Sequence, residues 1–561
     1  MATTVRWAAP LGAALILYGC LSLYQVSLPG LYYDEALDAV PAMQLLQGQQ
    51  PELVRQAGIQ LFGRKLPLMA MDYVGAVHTY AAIPFFSLFG INTRALRLMT
   101  VAGGAVTLAL TYLWAGWLFR SLWVASAAAL LLAAHPSYVF FTRQGIDVSS
   151  LMDLWAMAAL LLLLAWRRTG AWWWLVPAAL VLGLGLTTKI LFLWFILALL
   201  AIYLLWRGGP LLQRIGRRLA RSGSTDSETR LVSPPVARPE IMSMALGRAG
   251  QMVAVLSAFL LGAAMLVMYN VQTGGTLEVL QRNAPVSQYG VHNAEYFANL
   301  LVRLQSLGML LDGGSFSFLG GPFANPWYPA AFALAAASLP ALLLWKPPAR
   351  KHASATVFLL ALIGLVLLQS PLTISGIWPT HLFILLPLLQ VVIALALYLL
   401  GRHAFPARGL WVVTGALAVL AASNLLVDIQ YHRALQRTGG HGAYSDVIYA
   451  LAAYLDWNGA AQPLAMDWGI KYNVQLLTQG RVNPLEIFQY QPEPDALFEQ
   501  WLREALATSE QLYLFHSPEH TAFPRFDQFA RTVGQLGKDT HLETTLRERD
   551  GTPVYLVYTV R

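Results

Sequence analysis

The chain has 561 residues, of which 57% are hydrophobic and 12% charged. Soluble domains carry about 45–50% apolar and about 25% charged residues, so this composition excludes both a soluble globular chain and a disordered one. Lys and Arg number 37 against 29 Asp and Glu, for a formal charge of +8. In so apolar a chain that excess belongs to loops at a membrane face rather than to nucleic-acid binding. The single cysteine, Cys20, excludes an internal disulfide and a Cys-based zinc cluster.

A spanning helix takes about 20 mostly apolar residues. Such runs are predicted near residues 8–28, 98–119, 122–141, 149–166, 172–188, 190–206, 250–270, 327–345, 354–370, 381–400 and 410–427, about eleven spans in all. The first follows Arg6 and reads as a retained signal anchor, too long for a signal-peptide core and without a small-residue cleavage site. After it, Ala36, Val40, Met43 and Leu46 recur at helical spacing, which predicts an interfacial helix over 36–48 lying on the outer leaflet. The stretch 73–89 is apolar but interrupted by His78 and Pro84.

Parity tests orientation. With the N-terminus cytoplasmic, the inside loops hold Arg120; Arg167 and Arg168; residues 207–248; Lys346 to Lys351; and Arg402 to Arg408. The 207–248 loop alone carries eight Arg against Asp226, Glu228 and Glu240. Every inside loop is then net basic, as the positive-inside rule asks. The outer first loop still holds Arg55, Arg64, Lys65, Arg94 and Arg97, with Arg94 and Arg97 expected to anchor the second span at the headgroups. The Pro-rich stretch 222–240 reads as a flexible cytoplasmic linker. An odd number of spans puts the C-terminus outside. The expected domains are therefore a transmembrane unit, 1–428, and a small extracytoplasmic α/β domain, 429–561, with helical spacing at 443–456 and short strands at 463–466, 511–515 and around Asp550-Gly551.

Charges beside a bilayer need partners or a task. Asp34 and Glu35 follow the first span in LYYDEALDAV; Arg143 and Asp147 lie in FFTRQGIDVSS; Lys189 interrupts GLTTKILF; His381 opens HLFILLP. All fall on the outer face. Two carboxylate-bearing loops can orient or deprotonate a hydroxyl, or hold a divalent cation, while Arg143, Lys189 and His381 can neutralise phosphate charge. The same residues have plainer readings: helix starts for Asp34 and Glu35, an i,i+4 pair for Arg143 and Asp147, snorkelling for Lys189, a structural ring for His381. Asp153 is expected to face the bundle interior, outside the site, and Asp467-Trp468 to form a turn.

The acidic pair in YYDEALD resembles the first-loop motif of the GT-C superfamily of polyprenyl-phosphate-dependent glycosyltransferases, and in particular the dolichyl-phosphate-mannose protein mannosyltransferase and aminoarabinose transferase-like branch. Segments 72–98, 135–154, 183–194 and 381–390 agree with it in order. The resemblance implies a GT-C-like helical membrane fold and transfer of a sugar from a polyprenyl-phosphate donor to a hydroxyl on a protein, lipid or glycan at the outer face. It implies catalytic roles for Asp34, Glu35 and Asp147, and donor-phosphate binding by Arg143, Lys189 and His381. No cofactor follows from it with certainty. The rival class is a multi-span transporter or lipid flippase, which would show internal repeats and mid-membrane charges; here no repeat is visible and the charges gather at one face.

Overall fold

The computed structural model describes residues 2–61, 63–145, 149–221, 239–287, 289–373, 376, 378–403, 408–507 and 511–561. Its helices run, in chain order, α1 (Ala2–Leu23), α2 (Tyr33–Leu46), α3 (Val77–Phe89), α4 (Thr93–Phe119), α5 (Leu122–Ala133), α6 (Pro136–Gln144), α7 (Ser149–Thr169), α8 (Leu175–Thr188), α9 (Leu193–Arg221), α10 (Pro239–Gly262), α11 (Ala264–Thr273), α12 (Gly275–Asn283), α13 (Tyr296–Asp312), α14 (Trp327–Trp345), α15 (Ala353–Gln369), α16 (Leu386–His403) and α17 (Gly409–Thr438). Two small hairpins, β1 (Gly58–Leu61) with β2 (Arg64–Pro67) and β3 (Met69–Met71) with β4 (Val74–Gly75), lie between α2 and α3.

Each of the eleven apolar runs is helical. Among the described residues seven helices are long and apolar enough to cross a membrane, or nine if the bent pairs α5–α6 and α10–α11 each count as one; Trp7–Leu23 and Trp172–Thr188 are shorter apolar helices at the first and fifth runs. The chain is thus a helical, multi-span membrane protein. α16 is its axis: Leu386 to Ala396 are buried without interruption, the pattern of a helix surrounded on all sides. Beside it α5 offers Ala125, Ala127, Ala128 and Ala129, all buried, small residues that let neighbouring backbones come close.

Local sequence explains where these helices start and bend. Asn92 caps α4 by accepting from the Ala95 amide at 2.9 Å, and Ser121 caps α5 through Val124 at 3.3 Å. Pro136 opens α6 and lacks the N–H that would continue α5, so the two meet at 62°. All nine residues of α6 are buried. The break therefore carries Arg143 inward rather than along the lipid face.

Beyond α17 come α18 (Val447–Trp457), β5 (Leu464–Ala465), α19 (Lys471–Leu477), β6 (Leu485–Glu486), α20 (Ala496–Ala507), β7 (Tyr513–His516), α21 (Phe526–Gln535), β8 (Thr540–Arg547) and β9 (Pro553–Val560). The five strands form one sheet in the order β6-β5-β7-β9-β8, parallel through β6, β5 and β7 and antiparallel through β9 and β8. α17 itself continues to Thr438, so position 428 lies inside a helix and the chain turns only at Gly439 and Gly440.

α2 differs from the sequence expectation. It does not lie open to a leaflet: Tyr33, Glu35, Ala36, Asp38, Ala39, Val40, Ala42, Met43 and Gln44 are all buried by protein. Its apolar residues share a core with Phe86, Leu96 and Met99 of α3 and α4 and with Ile448, Leu451, Val474 and Leu476 of the C-terminal segment. α3, at 13 residues, is too short to span.

Candidate active site

α2 enters with Tyr32 extended and its backbone N–H held by Glu35 at 3.2 Å. The Glu35 carboxylate turns into the bundle and takes a two-pronged grip from Arg97, both contacts 2.9 Å. Arg97 also donates to the carbonyls of Val26, Pro29 and Gly30. A guanidinium has five N–H donors, and these five contacts use them all. Arg97 is fully buried, so it ties the α1–α2 loop to α4 rather than anchoring a span at the headgroups. Glu35 is occupied by that pairing. The loop is tight: a Cβ on Gly30 would lie 2.0 Å from the Ser445 carbonyl oxygen, which only glycine allows.

Asp34 is half-buried and lies near enough to Tyr490 of the C-terminal unit to act on it electrostatically. Beside it the Tyr33 hydroxyl donates to Glu486 at 2.6 Å and lies 3.5 Å from the Tyr490 hydroxyl. The Tyr33 ring rests on Trp468 (4.8 Å) and Tyr472 (5.3 Å), while Tyr32 stacks on Tyr444 at 4.2 Å. Lys471 pairs with Glu52 at 2.8 Å, and Tyr472 donates to the same carboxylate at 3.1 Å. Burial pushes the Glu486 carboxyl above the usual range and pushes the Tyr33, Tyr472 and Tyr490 hydroxyls up likewise.

The turn expected at Asp467-Trp468 is present and firmly held. Asp467 is buried, pairs with His516 at 3.0 Å, and accepts from Thr521 and from the amides of Trp468, Ala522 and Phe523. That satisfied carboxylate fixes the loop that presents Trp468 beside Tyr33.

On the inner side of α2, Arg143 is buried at the end of α6. Its Nη2 donates to the carbonyls of Gln25 and Leu28, and its backbone carbonyl accepts from Thr100 at 2.9 Å. Its Nε and Nη1 have no hydrogen-bond partner among the described residues. Gln144 reaches Glu35 at 3.5 Å. The structure thus brings Glu35, Arg97, Arg143 and Gln144 together at the start of α2. Asp147 lies outside the described residues.

Lys189 and His381 are both buried and held by other supports. Lys189 ends α8 in an extended conformation and bridges to Val74 of β4. Gly75 makes that approach possible, since a Cβ there would meet the Thr187 carbonyl oxygen at 2.2 Å. His381 sits in a 3-10 segment, Pro379–Leu385, packed against α7 and α13. α13 brings Arg303 to the same neighbourhood, a buried arginine whose Nε has only a 3.5 Å contact to Ser370 and whose Nη2 has no partner among the described residues. Burial lowers its guanidinium to about 10.

Sequence reasoning misassigned Arg97 and missed Arg303, Glu486 and Tyr490. A signal existed for the first: Thr93, Arg97, Thr100, Gly104, Thr107 and Thr111 form a buried stripe at alternating spacings of four and three. Glu486 has no such signal, being half of a two-residue strand. For a cation, the described residues offer one set of three clustered ligands, His441, Glu548 and Asp550, which does not include Asp34.

Residues 75–220 match the dolichyl-phosphate-mannose-protein mannosyltransferase family. No curated protein matches the sequence. Among solved structures, the chain is similar to ArnT from Cupriavidus metallidurans bound to undecaprenyl phosphate, with TM-score 0.57 and 12% identity over 98% of this chain and 97% of that one. The apo form of ArnT gives 0.54 and 13% over 99% and 98%. The oligosaccharyltransferase of Archaeoglobus fulgidus, in complex with zinc and sulfate, gives 0.50 and 14% over 90% of this chain and 68% of that one. At such identities the likeness is one of fold: the helical arrangement of this chain is similar to that of ArnT over nearly its whole length.

Proposed function

We propose that the protein is a membrane glycosyltransferase that moves a sugar from a polyprenyl-phosphate donor to a hydroxyl acceptor at the outer face of the membrane. The observation that carries this reading is the broken helix α5–α6, which brings a buried Arg143, whose Nε and Nη1 have no partner among the described residues, to the loop that leads into α2. A buried cation with spare donors is costly unless an anion completes it, and a phosphate does so well. The ArnT neighbour holds undecaprenyl phosphate, and the matched family is one of mannosyltransferases named for a dolichyl-phosphate sugar.

In this mechanism the acceptor hydroxyl attacks the anomeric carbon and the bond from that carbon to the phosphate oxygen breaks. The hydroxyl proton passes to the Asp34 carboxylate, and polyprenyl phosphate leaves with the bonding pair. Arg143, with Lys189 and His381, stabilises the charge on the departing phosphate. Arg303, beside the His381 segment, is a fourth cation for the same task. Glu35 acts through Arg97 to hold the segment that carries Asp34, and is a positioning residue. Asp147 orients the acceptor, Arg143 or a divalent cation. The reading carries its topology with it: eleven spans, a cytoplasmic N-terminus, and an extracytoplasmic unit from residue 429 onward, whose fold proper begins past Gly439.

The test is sugar transfer from radiolabelled polyprenyl-phosphate sugars in membranes holding wild type or Asp34→Asn. General-base catalysis contributes about 10²–10⁴-fold, so Asp34→Asn should lose at least about 100-fold at normal expression. Full activity in that variant would remove Asp34 from the chemistry.

A further inference from the structure

α1 and α17 both pack against α6, and the ends of the two helices leave a groove of about 320 Å³ between them. Cys20, Leu21 and Tyr24 line one side, and Ile429, His432 and Arg433 the other. Ligand clefts run from about 300 to about 1,000 Å³, so the groove has room for a small group. It lies at the ends of two apolar helices, the level at which a membrane protein meets lipid headgroups.

His432 is the unusual residue in this groove. It is 6% exposed, yet neither ring nitrogen has a hydrogen-bond partner among the described residues; the Leu21 carbonyl lies close by without forming a bond. The ring is packed against Tyr24 at 5.2 Å and Phe140 at 5.1 Å. A buried polar ring left unsatisfied costs stability. Arg433, the next residue, is exposed, and no carboxylate pairs with it among the described residues. Arg143 stands 6.0 Å from the Phe140 ring and acts electrostatically on His432. Asp428, one turn earlier on α17, does not line the groove and pairs with nothing among the described residues. The groove is therefore electropositive and holds no carboxylate. Snorkelling accounts for Arg433 alone, but not for the unsatisfied ring beside it.

We infer that this groove binds an anionic phospholipid, its phosphate held by Arg433 and the His432 ring and its glycerol and first acyl carbons lying over Leu21 and Ile429. A guanidinium matches phosphate oxygens in pairs, and a neutral imidazole adds one N–H donor. The apolar remainder of the lining favours a phosphate that carries a chain over a free one, and basic residues at a membrane face attract anionic lipids. The bound lipid bridges α1 to α17. This binding is independent of the glycosyltransferase reading.

Cys20 lines the groove, is exposed, and is the one cysteine of the chain, so its alkylation reports occupancy. The full-length protein in a neutral detergent is labelled with monobromobimane in micelles containing phosphatidylglycerol, phosphatidylcholine or polyprenyl phosphate, or with inorganic phosphate alone. Phosphatidylglycerol retained by the intact protein is counted in parallel by native mass spectrometry. Phosphatidylglycerol should slow labelling at least about threefold and phosphatidylcholine should not. Arg433→Gln, which changes an exposed side chain, should raise the phosphatidylglycerol needed for half-maximal protection about fivefold and lose one retained lipid at unchanged thermal midpoint. His432→Phe should weaken protection in the same direction. Equal protection by the two phospholipids, or no difference in protection and retained lipid between wild type and both variants, overturns the inference. Protection by inorganic phosphate alone overturns it in favour of a free anion, and protection by polyprenyl phosphate without phosphatidylglycerol assigns the groove to the sugar donor instead.

Discussion

Arg97 and Glu35 are joined by two 2.9 Å contacts with both side chains wholly buried. Breaking a buried ion pair on one side leaves an uncompensated charge, at a cost of about 3–5 kcal/mol. Arg97→Met should therefore lower the thermal midpoint strongly, and adding Glu35→Leu should recover much of the loss; calorimetry of the two variants decides it, and additive losses would contradict the pairing. Glu486 behaves in the opposite sense. Its folded-state proton affinity is raised by burial, so its favourable contribution is complete below the unfolded value of about 4.3 and is lost as pH rises through the shifted value. Glu486→Gln should be at least as stable as wild type at pH 8, with the advantage vanishing near pH 4. A lower midpoint for the variant at pH 8 would show that the ionised carboxylate supports the fold. At this scale legibility was uneven. Asp34 and Arg143 stood out because charge beside apolar runs is rare, whereas Arg97 was misassigned because an arginine near a helix start reads the same whether it meets lipid headgroups or a buried carboxylate.

At the scale of elements, apolar length alone located every span-like helix, since about 20 residues of low polarity in such a chain have few alternatives to a helix. The break at Pro136 was not drawn from the run at 122–141, although Ala134-His135-Pro136 contains the residue that causes it. α2 was read as interfacial because its amphipathic spacing is local information, while the residues that bury its other side lie more than four hundred positions away in α18 and α19. Two element-scale predictions follow from close backbone approaches. Gly75→Val should part β4 from the Lys189 segment, since the Thr187 carbonyl leaves no room for a side chain, and should reduce transfer at least about tenfold with protein still in the membrane; unchanged transfer would mean the bridge does not position Lys189. Ser121→Ala removes the α5 cap and should cost about 1 kcal/mol with transfer retained, measurable as a modest drop in thermal midpoint.

For the whole molecule, the helical bundle and the C-terminal unit pack together around the entrance of α2 and also through Tyr444 on Phe318 and Gln479 on the Ile91 carbonyl. The bundle supplies buried cations from broken or strained elements, and the sheet supplies carboxylate and aromatic groups on the other side. Composition announced the bundle, and alternating short strands announced the sheet, but nothing in the sequence announced that the two close around Tyr33 and Leu31. That juxtaposition depends on contacts such as Tyr33 with Glu486 and Asn473 with the Leu31 carbonyl at 2.8 Å, each spanning most of the chain. The account places residues 439–561 outside the cytoplasm. A reporter active only outside, fused after Arg561, should be active, and one fused at residue 225 should be silent; the reverse pattern would put Asp34 on the wrong side of the membrane for an outer-leaflet donor.

The most direct test of the account remains transfer of radiolabelled sugar from polyprenyl-phosphate donors, wild type against Asp34→Asn and Arg143→Ala in the same membranes. The account predicts transfer by wild type, loss of turnover with donor still bound in Asp34→Asn, and weakened donor binding in Arg143→Ala. Normal transfer by both variants would contradict it.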